Sequence, residues 1–447
     1  MLDFLIHHTP LLYLTQSLWR DEVFSIFMAA KPISFFVKNL SFEPPFYYLI
    51  LHYWMKLFGT SEIATRSLSL LAFSLAIIIL IYWSEKLFNK HWLSWWLPLF
   101  FFLNPMLLYY AMEVRTYGWY TLFVILSLFA YHEKRWAFWV AATVLGFYTH
   151  TYFIIVPFAQ TIHYLFTHKM IFSRGIRRAF ADPMIRAGAV SLLGMLPWFV
   201  KIMIEATRLK SSWYFPVDGN LVTSVLGNLF TGYEGTPGGL WTFTKYLSLL
   251  FLGVSVLAWR KKGSRRLVGL LLTLIYLPLA AVIGISFIKP LYVNRYMIAV
   301  TVAQVILVAQ AIRTIKNPWL QKAAGFAAIA FVVGFNVWYP NKHAKMDIRS
   351  IMMQINAMQG PNDVVMADNT LILFETMYYS RDRSRVYLYN PDNNPFPWYI
   401  GENIVDPSHI VNEYPPYPVR AFMVYTDGSF DIVFRAPLSD GLRPKAL

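Results

Sequence analysis

The 447-residue chain contains no cysteine, which excludes a disulfide framework and any thiolate metal site. It is also poor in charge, with Asp, Glu, Lys and Arg making up only 14% of the residues. No glycine-rich phosphate loop occurs in the C-terminal region, so nothing there marks a nucleotide site. No internal repeat is evident, which argues against a transporter built from two related halves. The first 19 residues lack a basic leader and a small-residue cleavage site, so they are expected to form a marginal first helix, from a start site placed late, and not a removed signal peptide.

What is abundant is apolar surface. Hydrophobic residues make up 57% of the chain and aromatics 18%, a composition typical of polytopic membrane proteins. Apolar windows near the length needed to cross the hydrocarbon core fall at 2–18, 61–84, 92–111, 116–132, 135–149, 151–167, 185–204, 241–259, 267–287, 292–312 and 321–339. The expectation is therefore about eleven spans in residues 1–339, followed by a soluble domain in 340–447. The fold class expected is a polytopic α-helical membrane protein with a small C-terminal α/β domain.

The basic residues supply an orientation. Connections at 85–91, 131–136, 167–186, 260–266 and 313–322 hold 17 of the 29 Lys and Arg in residues 1–339, but only 3 of that region's 12 acids. The positive-inside rule puts these connections in the cytoplasm. An odd span count then starts inside and leaves the C-terminal domain outside, in a multi-pass protein of the cell (inner) membrane. The net charge of +15 belongs to these loops, where anionic lipid explains it. Nucleic acid is not an expected partner.

The alternate, outward connections carry the chemistry. Residues 19–60 read as amphipathic, aromatic-rich helices lying in the interface, and 206–240, with Gly-Thr-Pro-Gly-Gly at 235–239, as a mobile loop. Past residue 340, helical spacing over 347–358, a turn at Gly360-Pro361-Asn362-Asp363, a strand at Val364–Ala367, a helix at about 370–380 and a strand from Val386 to Tyr389 predict the α/β domain.

Asp21 and Glu22 follow Trp19 where the first span emerges, and the plain alternative is a belt tryptophan before carboxylates that favour a helix start. Glu43 precedes two prolines that stiffen the backbone beside its carboxylate. Glu113 and Arg115 share a short outer turn, where the plain alternative is a local surface pair. His150 lies at the next outer turn; with Glu43 it is a candidate ligand for a divalent metal, the one cofactor entertained. Arg295, beside Tyr296, either snorkels to the interface or offers a fork of donors to a lipid phosphate. Ionisable residues gathered at one membrane face point to a functional site.

Ser17-Leu18-Trp19-Arg20-Asp21-Glu22-Val23-Phe24-Ser25, Glu43-Pro44-Pro45-Phe46-Tyr47-Tyr48-Leu49, Glu62-Ile63-Ala64-Thr65-Arg66 and Glu113-Val114-Arg115-Thr116-Tyr117, in that order, resemble bacterial members of the GT-C superfamily. The resemblance is to the protein O-mannosyltransferase and aminoarabinose transferase group, glycosyltransferase family 39, and covers most of residues 10–340. It implies an integral-membrane enzyme that takes a sugar from a polyprenyl-phosphate donor on the non-cytoplasmic side. Asp21 matches the family's first-loop acid. Relatives usually carry His-Pro-Pro where this chain has Glu43-Pro44-Pro45.

The expected reaction is direct displacement at the anomeric carbon with inversion. Asp21 is the expected base on an acceptor hydroxyl, with Glu22 and Glu113 as further catalytic candidates. Arg295, Arg115 and Tyr296 are expected at the donor phosphate, and Trp19, Glu43, Tyr47, Tyr117 and His150 along the substrate cavity. Expected partners are the polyprenyl-phosphate sugar, a glycan, lipid or protein acceptor, and membrane lipid. The alternatives are a flippase for lipid-linked glycans, which would put paired charges at mid-membrane, and a polysaccharide polymerase or ligase, whose large outer loop rich in Arg and His is not obvious in 206–240.

Overall fold

The computed structural model describes residues 2–40, 42–168, 181–206, 217–235 and 239–436. The chain divides into two compact units, Met1–Thr15 with Pro32–Ala344, and Gln16–Lys31 with Lys345–Leu447. The expected break at 339/340 is close to this division. The unforeseen part is Gln16–Lys31, which groups with the C-terminal residues and not with the apolar helices.

The first unit is helical and polytopic. Among the described residues, six helices are long and apolar enough to cross a membrane: Glu62–Phe88, Pro183–Glu205, Trp241–Trp259, Lys262–Ser286, Asn294–Thr314 and Pro318–Trp338. Several of the eleven expected windows fall short of that length for local reasons. The window at 2–18 holds two short helices, Leu2–His8 and Leu11–Thr15, parted at Pro10, which cannot donate to the ladder. That at 92–111 is split into Leu93–Phe102 and Pro105–Ala111 because Asn104 caps a new helix, accepting from the Leu107 N–H at 3.1 Å. The window at 151–167 opens on a 3-10 turn, Thr151–Ile154.

Three helices start in the same way, with an Asx side chain at the N-cap followed by proline at the first helical position: Asn104-Pro105, Asp182-Pro183 and Asn317-Pro318. The cap accepts orphan N–H groups, and proline loses nothing where its own N–H would be unpaired. Within the expected basic connection 167–186, residues 169–180 lie outside the described residues.

Of the six long apolar helices, Asn294–Thr314, which includes the helix Ile298–Thr314, is the most enclosed, with 83% of its most apolar window buried. Its polar residues face the helix Gly219–Thr231, Thr301 donating to the Leu229 carbonyl at 2.8 Å and Gln304 to that of Leu226 at 2.9 Å. Gly219–Thr231 corrects the expectation of a loop at 206–240. The Asp218 side chain caps it through the Leu221 N–H, and Gly227 lets it approach Trp241–Trp259 so closely that a Cβ there would sit 2.2 Å from the Thr244 oxygen. Residues 207–216 and 236–238 of that stretch lie outside the described residues. The expected helices of the first outer loop are present as Arg20–Ala30, Ile33–Asn39 and Phe46–Phe58.

The second unit is α/β, as the sequence predicts. Its strands are β1 (Val364–Ala367), β2 (Val386–Tyr389), β3 (Ile410–Val411), β4 (Ala421–Val424) and β5 (Phe430–Val433), in the order β3-β2-β1-β4-β5. All neighbours are parallel except β4 and β5, with Val365 opposite both Val386 and Phe422. The helix Ile348–Met358 buries Ile348, Met352 and Ile355, each contributing about 1.5–3 kcal/mol by burial. Asp363 fixes the turn before β1 by accepting from the Gly360 N–H at 2.7 Å and the Arg420 Nε at 3.1 Å.

Helix Arg20–Ala30 belongs to this unit through rings and hydrogen bonds. Phe24 and Phe27 meet Phe374 of the helix Leu373–Tyr379 at 6.3 and 6.0 Å. The Ser17 hydroxyl donates to Asp347 at 2.7 Å, and the Leu18 N–H donates to the Tyr379 hydroxyl at 2.7 Å.

Candidate active site

The helical unit brings most of the sequence-predicted residues together. Glu43 stands before Pro44 and Pro45, and Pro45 precedes the helix Phe46–Phe58, whose first turn buries Tyr47 and Tyr48. The Glu43 carboxylate accepts from the Arg115 guanidinium and from the Tyr48 hydroxyl. Arg115 lies in the turn between Pro105–Ala111 and Tyr117–His132. That turn is fixed by the Ser69 hydroxyl, which donates to the Arg115 carbonyl at 3.0 Å. The contact requires the close approach that Gly118 allows, since a Cβ at 118 would sit 2.5 Å from the Ser69 oxygen. Glu113, in the same turn, is buried.

Arg115 is 5% exposed and Arg295 8%, so both guanidinium groups are largely withdrawn from water, where a charge needs paired partners. Arg295 donates to Glu234 at 3.3 Å, and Glu234 also accepts from the Tyr110 hydroxyl at 3.0 Å. Arg295 stands 5.8 Å from the Tyr296 ring and Arg115 6.0 Å from that of Tyr117, both within cation–π range. Tyr117 interacts electrostatically with both guanidinium groups, and its buried hydroxyl has no hydrogen-bond partner among the described residues.

His150 closes the cluster. Its ring stacks on Tyr120 at 5.1 Å and meets Tyr296 at 5.0 Å and Tyr117 at 5.7 Å. Its Nδ1 accepts the Tyr152 N–H at 3.2 Å, which leaves the proton of the neutral ring on Nε2. Burial first, and then the Arg115 and Arg295 charges, hold this imidazole well below its usual range. Glu43, His150 and Tyr296 line a cavity of about 330 Å³ whose other walls include Phe147, Phe199 and Ile202.

The remaining candidates lie in the second unit. Trp19 precedes the helix Arg20–Ala30, and Glu22 turns back to accept from the Trp19 N–H at 3.3 Å and from Lys345 at 3.0 Å. The Glu22 side chain is 0% exposed. These bonds commit it to capping the helix and holding Lys345, which also stands 5.4 Å from the Trp19 ring. Asp21 is the more open of the two acids, 16% exposed, with Arg20 at 2.9 Å. Close by in this unit, burial pushes the Glu375 carboxyl up to about 8; the Asp21 charge acts in the same direction and that of Arg20 against it.

Among the described residues no group of three or more His, Cys, Asp or Glu side chains is arranged to hold a metal ion. Glu43 and His150, the candidate ligands, share the cavity wall, but Glu43 is engaged by Arg115 and Tyr48.

Glu234, Tyr110, Tyr48, Lys345 and Glu375 were not anticipated from sequence. Glu234 carried a usable signal, being one of only 12 acids in residues 1–339, yet it sits beside the glycine-rich stretch and reads as part of the loop. Glu375 carried none, because a single acid on a short amphipathic helix reads as solvated.

No family model and no curated protein matches the chain. Solved structures do. The crystal structure of ArnT from Cupriavidus metallidurans in the apo state matches with a TM-score of 0.60 at 14% identity, over 92% of this chain and 90% of that one. ArnT from the same organism bound to undecaprenyl phosphate matches with a TM-score of 0.61 at 13% identity, over 95% and 91%. The chain has a GT-C fold. Coverage this high takes in most of both units, so the likeness to these two structures extends past the helices to the C-terminal α/β unit. At such low identity the likeness concerns the fold, and residue roles rest on the geometry of this chain.

Proposed function

We propose that this protein is a membrane glycosyltransferase that moves a sugar from a polyprenyl-phosphate donor to an acceptor hydroxyl on the extracytoplasmic side. The observation that carries the reading is the pair of buried arginines, Arg115 and Arg295, whose partners Glu43 and Tyr296 line a cavity walled by aromatic and aliphatic side chains. Such a cavity suits an isoprenoid chain, and forked guanidinium donors suit the phosphate at its head. The likeness to an ArnT structure that holds undecaprenyl phosphate supports the same donor class.

The chemistry is a single displacement. The acceptor oxygen attacks the anomeric carbon, the bond from that carbon to the phosphate oxygen breaks, and the sugar inverts. A carboxylate takes the hydroxyl proton as the new bond forms, and Asp21 is the candidate by its match to the first-loop acid of the family the sequence resembles. Its greater exposure favours it over Glu22, whose bonds are used within the fold. The lipid phosphate leaves with an added charge, which Arg295 and Arg115 stabilise without reorganisation because their partners already hold them in place. The Tyr117 hydroxyl supplies a further donor near both. The whole reaction needs no soluble nucleotide sugar, which fits chemistry carried out beyond the cytoplasm.

Mass spectrometry of lipid released from the purified protein tests this reading. A polyprenyl phosphate should copurify with the wild-type chain and be depleted in Arg115→Ala/Arg295→Ala protein. Recovery of only bulk phospholipid from the wild type would overturn the donor assignment.

A further inference from the structure

The second unit carries a pocket of its own. It has a volume of about 190 Å³ and lies at the carboxyl ends of β1 and β2, where Asp368, Asn369 and Thr370 leave one strand and Tyr389 and Asn390 end the other. In open parallel sheets this end of the strands is where ligands bind, beside the point at which strand order reverses. Here the reversal is at β1, since the chain runs outward from β1 through β2 to β3 and then returns to place β4 on the opposite side.

The pocket is built and not an accident of loops. The Asp368 N–H donates to the Val424 carbonyl at 3.0 Å, continuing the ladder one residue past β1. The Asn390 side chain staples the following loop, donating to the Asn394 carbonyl at 2.8 Å and accepting the Asn394 N–H at 3.0 Å. Tyr389 is held by stacking on Tyr414 at 4.5 Å. Within this frame the buried Oδ1 of Asp368 has no hydrogen-bond partner among the described residues. A buried acceptor left unpaired costs about 1–3 kcal/mol, and burial together with the Asp427 charge also holds the Asp368 carboxyl above its usual range.

The lining narrows the ligand. It includes a carboxylate, three asparagines, a threonine, Tyr389 and Phe396, and among the described residues no Lys, Arg or His. With no cation and no glycine-rich loop after β1, it offers nothing for the phosphates of a nucleotide. Carboxylate, amide and hydroxyl groups match the vicinal hydroxyls of a sugar, and aromatic side chains match its apolar ring face. The volume lies below the range usual for drug-sized ligands, which limits the occupant to about one ring.

We propose that this pocket binds a single neutral pyranose unit of a glycan, with Asp368 accepting hydrogen bonds from its hydroxyls. The sugar binding stands by itself; that the glycan is the acceptor, or the donor's departing sugar, rests on the transferase reading above.

Saturation-transfer NMR on the full-length protein in detergent, with methyl glycosides of the gluco, galacto, manno and 2-acetamido-2-deoxygluco series as probes and inorganic phosphate as competitor, tests it. At least one glycoside should show saturable transfer that phosphate does not displace. Asp368→Asn should weaken it at least about tenfold by removing a charged acceptor, and Phe396→Ala should weaken it severalfold by removing ring-face contact, each with the thermal midpoint checked. Arg295→Ala, which should disable the donor site, should leave glycoside binding unchanged, so the two proposals fail separately. Absence of transfer to every glycoside, displacement by phosphate, or undiminished binding in both folded variants would overturn the assignment.

Discussion

Replacing Arg295 gives the most informative perturbation of the helical unit. Its guanidinium is 8% exposed and pairs with Glu234 at 3.3 Å. That is longer than the 2.7–2.9 Å or so of a closed charge-assisted bond, which suits a fork that also serves a ligand. Removing a charged donor from a partly desolvated phosphate costs about 1.5–3 kcal/mol, so Arg295→Ala should raise the Kd for a polyprenyl phosphate by about tenfold to somewhat over a hundredfold. Arg295→Lys should recover part of this, because a point charge does not reproduce the fork. Glu234→Gln is the counter-test: it removes the competing carboxylate while Tyr110 can still donate to the amide oxygen, so affinity should hold or rise. Titration of the detergent-solubilised proteins at fixed ionic strength, followed by tryptophan fluorescence and paired with thermal unfolding, measures all four. Indistinguishable affinities across the series would show that Arg295 has no part in holding the phosphate.

Asp21→Asn should lower turnover at least about a hundredfold, the low end for general-base catalysis, while lipid binding survives; wild-type transfer by folded variant protein would shift the role to another acid. Glu375 predicts a pH dependence of stability. Its folded carboxyl titrates at about 8 against a usual 4.5, so the folded state holds the extra proton between these values and stability falls as pH rises through that window, by up to about 1.4 kcal/mol per unit. Glu375→Gln should flatten that slope and raise the thermal midpoint at pH 8, and an identical slope in both proteins would contradict the burial argument. For orientation, Asp427→Cys in this cysteine-free chain should react with an impermeant thiol reagent in intact cells or spheroplasts, and Ser264→Cys only after lysis. The reverse pattern would turn the site toward the cytoplasm.

Much of this was legible in the sequence wherever a local rule decides. Apolar windows located the long helices, and the period and turn residues of 347–389 located two helices and two strands of the α/β unit. The ordered motifs pointed to GT-C, and the structure gathers Glu43, Arg115, Tyr117, His150 and Tyr296 around one cavity region. What escaped has physical reasons. The helix Gly219–Thr231 carries Asn228, Ser224 and Thr231 at its buried face, so its composition reads as polar loop. The attachment of Gln16–Lys31 to the C-terminal unit depends on Ser17 reaching Asp347 and Leu18 reaching Tyr379, contacts more than three hundred residues apart that no periodic pattern encodes. β4 and β5 follow a stretch rich in proline and turn residues, and strands of four residues are too short to show alternation against that background.

The central claim is that the chain consumes a sugar carried on a polyprenyl phosphate. Its most direct test is the lipid-linked sugar pool of cells lacking this gene, extracted and profiled by mass spectrometry beside the wild type and beside cells complemented with wild-type, Asp21→Asn or Arg295→Ala protein. One polyprenyl-phosphate sugar should accumulate in the deletion, return to its usual level with the wild-type copy, and remain high with Asp21→Asn and raised with Arg295→Ala. An unchanged pool in the deletion, with every envelope glycan retaining its sugars, would contradict the claim.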